Sequence, residues 1–167
     1  MKSLILSVIA DDRPGIVETL SDCIAAHNGN WLESRLANLA GKFAGIVRLE
    51  VSADAEEALI SALQTLQDQG IRVIVDQADQ ASAAAGEVLE LIVTGSDRAG
   101  IVKEITSLLS RHGVNVQELA SHCENAPMSG DQLFQARLTV VLPGHLSSDQ
   151  LAQILEELSD DLLVDID

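Results

Sequence analysis

Aromatic side chains are nearly absent from this 167-residue chain: Trp31, Phe43 and Phe134 make up 2% of it, and tyrosine does not occur. Proteins that hold single-stranded nucleic acid stack its bases on such rings, so no stacking platform is available. Basic residues are scarce too, with 10 Lys+Arg against 26 Asp+Glu and a net charge of −16. Affinity for DNA rests largely on cations that neutralise phosphates, and anionic membrane surfaces attract basic segments for the same reason. The charge therefore argues against direct DNA binding and against membrane-surface attachment. Cysteine is confined to Cys23 and Cys123, with no CxxC spacing, the pattern of two reduced thiols in a cytoplasmic protein. Long hydrophobic runs are missing as well. The apolar stretch at 4–10 stops at Asp11-Asp12. It is too short to span a bilayer and lacks the basic start and cleavage site of a signal peptide.

What the chain does have is 47% hydrophobic residues, ordinary for a globular protein and too many for charge-driven disorder. It also repeats itself. Asp12-Arg13-Pro14-Gly15-Ile16-Val17 returns as Asp97-Arg98-Ala99-Gly100-Ile101-Val102, an offset of 97 − 12 = 85. At that offset His27 meets His112, Asn30 meets Asn115 and Glu33 meets Glu118. The chain reads as two copies of one module, at 1–79 and 87–167, joined by a small polar linker at 80–86.

Each copy carries the same pattern. An Ile/Leu/Val-rich run at 2–10 predicts a buried strand. A helix is expected from Pro14, a residue suited to the first helical position. Ile16, Val17, Leu20, Cys23, Ile24 and His27 share one face, repeated by Ile101, Val102, Ile105, Leu108, Leu109 and His112. Asn28-Gly29 and Gly113 supply the helix ends. Strands are predicted at 30–39 and 43–52 about a turn at Ala40-Gly41-Lys42. A second helix is announced by a capping-box pattern at Asp54-Ala55-Glu56-Glu57 and carries Leu59, Ala62, Leu63 and Leu66 inward. Its twin opens at Ser147-Ser148-Asp149-Gln150 and carries Leu151, Ile154, Leu155 and Leu158. Closing strands at 72–75 and 162–166 complete β-α-β-β-α-β twice. The expected class is α+β: two ferredoxin-like units in tandem, antiparallel sheets with helices on one face.

Chemistry is suggested twice at the strand-to-helix loop. A helix start presents unpaired N–H groups and the positive end of the macrodipole, and so holds carboxylates or phosphates. Gly15 and Gly100 leave the backbone open to a small ligand, Asp12 and Asp97 can accept from an ammonium group, and the amides of Asn30 and Asn115 can donate and accept. Together they suit a zwitterion. The plainer reading stands beside it: Asp12 a helix cap, Gly15 a packing residue, Asn30 a turn residue.

These residues resemble a known family. Asp-Arg-Pro-Gly-Ile-Val after a strand, with Asn30 opening the next strand, looks like the ACT domain, a small regulatory module that binds amino acids. The whole chain is similar to the bacterial glycine cleavage system transcriptional repressor family, two ACT domains and little else, and residues 33–46 resemble that family's first hairpin. The resemblance implies a small amino-acid ligand, glycine first. It would lie where two modules meet, near the β1–α1 loop of one and the start of β2 of its neighbour. The positions carried over are Asp12, Arg13, Gly15, Ile16 and Asn30, with Asp97, Arg98, Gly100, Ile101 and Asn115. Asp12 and Asp97 stand where many amino-acid-binding members have Asn, and Ala99 replaces the second proline. Repression is implied to run through a LysR-type activator protein, relieved by glycine, without DNA contact; a homodimer through sheet edges or helix faces is compatible. Two other roles fit the modules: an interaction unit with vestigial ligand sites, or a regulatory subunit of an amino-acid or one-carbon enzyme.

Other candidates carry less. His27 and His112 suit helix-end contacts with the last carbonyls. His122-Cys123-Glu124 holds three metal-capable side chains, but neighbours on a strand point to opposite faces, and no metal site is expected. No Ser-His-Asp, phosphate-loop or Rossmann pattern occurs, so no catalytic residue is assigned. The insertion at 124–131 is either a partner contact or a tolerated surface loop. Trp31 is expected in the core or along the surface between modules.

Overall fold

A computed structural model describes residues 1–78 and 85–167. It divides into two compact units, Met1–Ser82 and Ala83–Asp167. The first runs β1 (Lys2–Asp11), α1 (Ile16–Ala26), β2 (Asn30–Leu39), β3 (Lys42–Val51), α2 (Ala53–Thr65), a short 3₁₀ turn (Leu66–Gln69) and β4 (Arg72–Gln77). The second repeats it as β5 (Glu87–Ser96), α3 (Ile101–Arg111), β6 (Asn115–Asn125), β7 (Gln132–Leu142), α4 (Ser148–Glu156) and β8 (Leu163–Ile166). Each sheet is antiparallel, in the orders β2-β3-β1-β4 and β6-β7-β5-β8. The expected βαββαβ class is what the chain forms. Of the linker placed at 80–86, all but Ala85 and Gly86 lies outside the described residues.

The strands alternate. Leu4, Leu6, Val8 and Ala10 of β1 are buried, as are Val47, Leu49 and Val51 of β3. The intervening Ile5, Ser7 and Ile9 lie on the opposite face and are only partly covered, as side-chain alternation along a strand requires. Ile16, Leu20 and Ile24 of α1 and Leu59 and Leu63 of α2 close over the buried face. Val17, on the flank of the predicted stripe, remains 45% exposed. The second unit packs Leu91, Val93, Ile105, Leu109, Leu138, Leu151 and Leu155 in the same manner. Among the described residues no polar or charged side chain is buried, so both cores rest on aliphatic burial, about 1.5–3 kcal/mol for each large side chain.

Two helix starts differ from the sequence reading. Helix α1 begins at Ile16, two residues past Pro14, because Gly15 at φ 92° turns the chain into it. Helix α2 is capped by Ser52 without a side-chain hydrogen bond, so the box expected at 54–57 does not form. Its twin does form: Ser147 Oγ accepts from Gln150 N–H at 3.2 Å and Gln150 Oε1 from Ser147 N–H at 2.9 Å. The first hairpin turns on Ala40-Gly41 alone, both at positive φ, the geometry of a two-residue turn. The second spans six residues, 126–131, between Asn125 and Gln132. Both edge strands carry a bulge at the same place, between Trp31 and Glu33 and between Val116 and Glu118.

Candidate functional site

The loops after β1 and β5 are built alike. Asp12 N–H donates to the Gly41 carbonyl at 2.9 Å, and Asp97 N–H to the Gln132 carbonyl at 3.0 Å, so each loop is tied to the hairpin beside it. Gly15 (φ 92°, ψ 0°) and Gly100 (φ 85°, ψ 5°) then occupy the N-cap in the left-handed region, and no side chain caps either helix. A Cβ on either glycine would meet nothing within 4 Å. Backbone conformation alone demands glycine here, and the space in front of it stays open. In the second unit Ile101 N–H is partly engaged by the Arg98 carbonyl at 3.4 Å. The side chains of Ile16 and Ile101 are 3% and 4% exposed; they belong to the core, and only their backbone faces the loop.

The two aspartates are not caps. Asp12 accepts a hydrogen bond from the Asn38 amide of β2. Asp97 lies against Cys123, which holds the equivalent place on β6 (38 + 85 = 123). The Cys123 thiol is pushed up by desolvation and then by the charge and hydrogen bond of Asp97. Arg13 reaches the other way, donating to the Gln69 carbonyl across the sheet end. Its counterpart Arg98 pairs with Glu104 of the following helix, α3, raising the guanidinium and lowering the carboxyl by their mutual hydrogen bond. Both members of that pair are solvent-exposed, so it adds little to stability.

A cleft of about 290 Å³ opens at the first loop, lined by Asp12, Arg13, Gly15, Ile16, Val17, Glu18 and Phe43. It joins a helix start that offers N–H donors to two carboxylates and an apolar wall, the complement of a small zwitterion. Sequence reasoning missed Glu18, Val17 and Phe43. Glu18 stands in the first turn of α1, three residues past Gly15, and Phe43 directly follows Lys42 after the tight turn. Asn30 does not join them within its own unit. It opens β2 opposite Glu50, whereas Asn38, eight residues on, is the residue bonded to Asp12. Eight steps of extended chain separate the two places by about 26 Å. Asn115 stands likewise at the far end of β6, opposite Val141.

The remaining candidates resolve simply. His27 Nδ1–H donates to the Cys23 carbonyl at 2.9 Å, the helix-end contact expected of it. His122 Nε2 lies 3.7 Å from Glu124 Oε2 on one side of β6, with Cys123 on the other. Trp31 is partly buried against the first core. Among the described residues no group of three His, Cys, Asp or Glu is placed to hold a metal, and no helix is long and apolar enough to cross a membrane.

Known proteins share the sequence pattern and the fold of this chain. The chain is 24% identical to the glycine cleavage system transcriptional repressor of Escherichia coli (strain K12) over 161 residues, 95% of this chain and 85% of that protein. The repressor of the same description from Shigella flexneri matches equally. A crystal structure of a protein of unknown function from Galdieria sulphuraria superposes with a TM-score of 0.81 at 30% identity, covering 99% of this chain and 97% of that one. A structure provisionally described as a glycine cleavage system transcriptional repressor shares the fold, with a TM-score of 0.73 at 16% identity over 99% and 96% of the two chains. Two family models, each described as an ACT domain, match the chain, one at residues 2–76 and the other at residues 89–160. With both βαββαβ units matched over nearly their whole length, the chain belongs to the ACT-domain family and consists of two such domains in tandem.

Proposed function

We propose that this protein is an amino-acid-responsive transcriptional regulator, similar to the glycine cleavage system repressor, that acts on a protein activator and not on DNA. The observation that carries the reading is the match over 95% of the chain to a repressor of that description, joined to an open, uncapped helix start in each ACT domain. Glycine is the ligand of first choice. Its carboxylate would take the free N–H groups at the start of α1, and its ammonium group the carboxylates of Asp12 and Glu18. The role is regulatory and non-enzymatic, in the cytoplasm. The charge of −16 supports a protein target over DNA, because a chain with so few cations cannot neutralise many phosphates; that the target is a LysR-type activator is what the family resemblance implies.

A ligand changes the activity of such a protein only through unequal affinity for two of its arrangements. Repression relieved by glycine therefore requires glycine to favour the arrangement that releases the activator. Calorimetric titration with glycine and serine tests the sensor: saturable heat supports it, and silence with both overturns it. Changing Glu18, which lines the cleft, to Gln should weaken binding, and unchanged affinity would remove it from the site. Capture of a purified LysR-type activator, lost on adding glycine, tests the partner. One observation favours a second reading, an interaction module with vestigial sites: Asp12 and Asp97 already have partners in Asn38 and Cys123.

A further inference from the structure

One corner of the first sheet gathers cations on a chain that has few. Where β1 ends, Lys42 pairs with Asp11 and stands opposite it in the β1–β3 register. Arg72, opposite Ile9 in the β1–β4 register, projects from the same sheet face. Arg13 arrives from the loop, bonded to the Gln69 carbonyl, with a guanidinium nitrogen 3.5 Å from where a Gly70 Cβ would lie. Ile9, Ala10, Asp11, Lys42, Gly70 and Arg72 enclose a hollow of about 120 Å³. Three of the ten basic residues of the chain thus converge on one carboxylate, a local charge of 3 − 1 = +2 on a molecule of −16. Asp12, the next acid along, is turned to Asn38.

The fold does not need this arrangement. In the second unit the same register positions hold Ser96 opposite Leu133 and Thr94 opposite Leu163. There Asp161 closes the corner, its carboxylate accepting from Ser96 N–H at 3.0 Å. The counterpart of Arg13, Arg98, folds back onto Glu104. One module therefore places leucines and an internal acceptor at the corner, while the other leaves a hollow rimmed by cations. Among the described residues the Arg72 side chain makes no hydrogen bond or ion pair, and it reaches Asp11 only through its charge.

We propose that this corner of the first domain binds the phosphate group of a small metabolite, with Arg72 and Lys42 as the direct ligands and Arg13 completing the charge. Guanidinium forks match phosphate oxygens two at a time, and a lysine beside them adds a compact charge. Phosphate draws Lys42 away from Asp11, whose pairing holds the ammonium in place until then. At physiological salt the Debye length is about 8 Å, so the distant acidic residues are screened and the local cations decide. The site shares Arg13 with the glycine cleft, but its direct ligands, Arg72 and Lys42, do not line that cleft, so varying those two tests the phosphate site apart from the glycine reading.

The test is titration of the isotope-labelled full chain with inorganic phosphate, followed by amide NMR at ionic strength held constant with chloride. Saturable shifts are expected at Asp11, Lys42, Gly70 and Arg72, with none at Ser96, Leu133 or Leu163. Arg72→Gln and Lys42→Gln should each weaken binding about tenfold, the scale of one charge-assisted hydrogen bond. Arg137→Gln, which removes an exposed partner of Glu90 in the second unit, should leave it unchanged. The same spectra show that each variant is folded. Non-saturating shifts, equal shifts in both units, full affinity in Arg72→Gln, or an equal response to acetate would each overturn the proposal.

Discussion

Replacing Gly15 by alanine isolates what the repeated glycine does. At φ 92° and ψ 0°, an L-residue with a Cβ sits in a region that costs about 1–2 kcal/mol. The unfolded chain loses freedom on the same change, which returns about 0.4–1 kcal/mol. No steric term is added, because a Cβ at this position meets nothing within 4 Å. The net expectation is a destabilisation of about 1 kcal/mol. Asparagine enters the left-handed region more readily than alanine, so Gly15→Asn should cost about half as much. Gly45→Ala supplies the contrast. Its Cβ would stand 1.9 Å from the Arg35 carbonyl oxygen and 2.8 Å from the Leu36 Cα, so β2 and β3 must part, at about 3 kcal/mol or more. The assay is urea unfolding of the full chain followed by tryptophan fluorescence. Trp31 is the sole tryptophan and packs on the first core, so the signal reports the first domain. A neutral Gly15→Ala, or a Gly15→Asn more damaging than Gly15→Ala, would refute the conformational account of the loop.

Other expectations follow from local geometry. Ser147→Ala breaks a complete capping box and should cost about 1 kcal/mol, whereas Ser52→Ala removes a cap residue that makes no side-chain bond and should cost only a few tenths; urea unfolding of the two variants separates them. Hydrogen bonds from Ser159 and Ser96 hold the Asp161 carboxyl at about 2. That depressed value means its contribution to stability is complete above the ordinary aspartate range and fades as pH falls toward about 2. Carboxyl-carbon NMR should show Asp161 ionised when ordinary aspartates are half protonated, and an ordinary midpoint would contradict the assignment.

Much of the fold was legible in sequence because its causes are local. The 85-residue offset fixed the duplication, the apolar periodicity the strand and helix order, and Asn28, Gly41 and Gly113 the turns. Helix starts are less legible in the sequence. Pro14 is compatible with a first turn, yet the left-handed Gly15 delays the helix to Ile16. The serine before Ala53 outcompeted the acidic pattern at 54–57. For the candidate site, the loop residues Asp12, Arg13 and Gly15 were visible as a repeated motif, while Glu18 and Phe43 were not, since a single chain position carries no sign of which neighbours share its cleft.

The sequence by itself determined the class, the number of modules and the loop worth attention, because periodicity, repetition and turn chemistry are properties of neighbouring residues. Only the tertiary structure decided which partners those residues meet. Strand register puts Asn38 and Cys123 on the two repeated aspartates, sends Asn30 to the far end of its sheet, and assembles Arg13, Lys42 and Arg72 from three separate segments at one corner. Contacts between residues dozens of positions apart depend on how strands align, and that alignment is settled by the burial of one whole face at once.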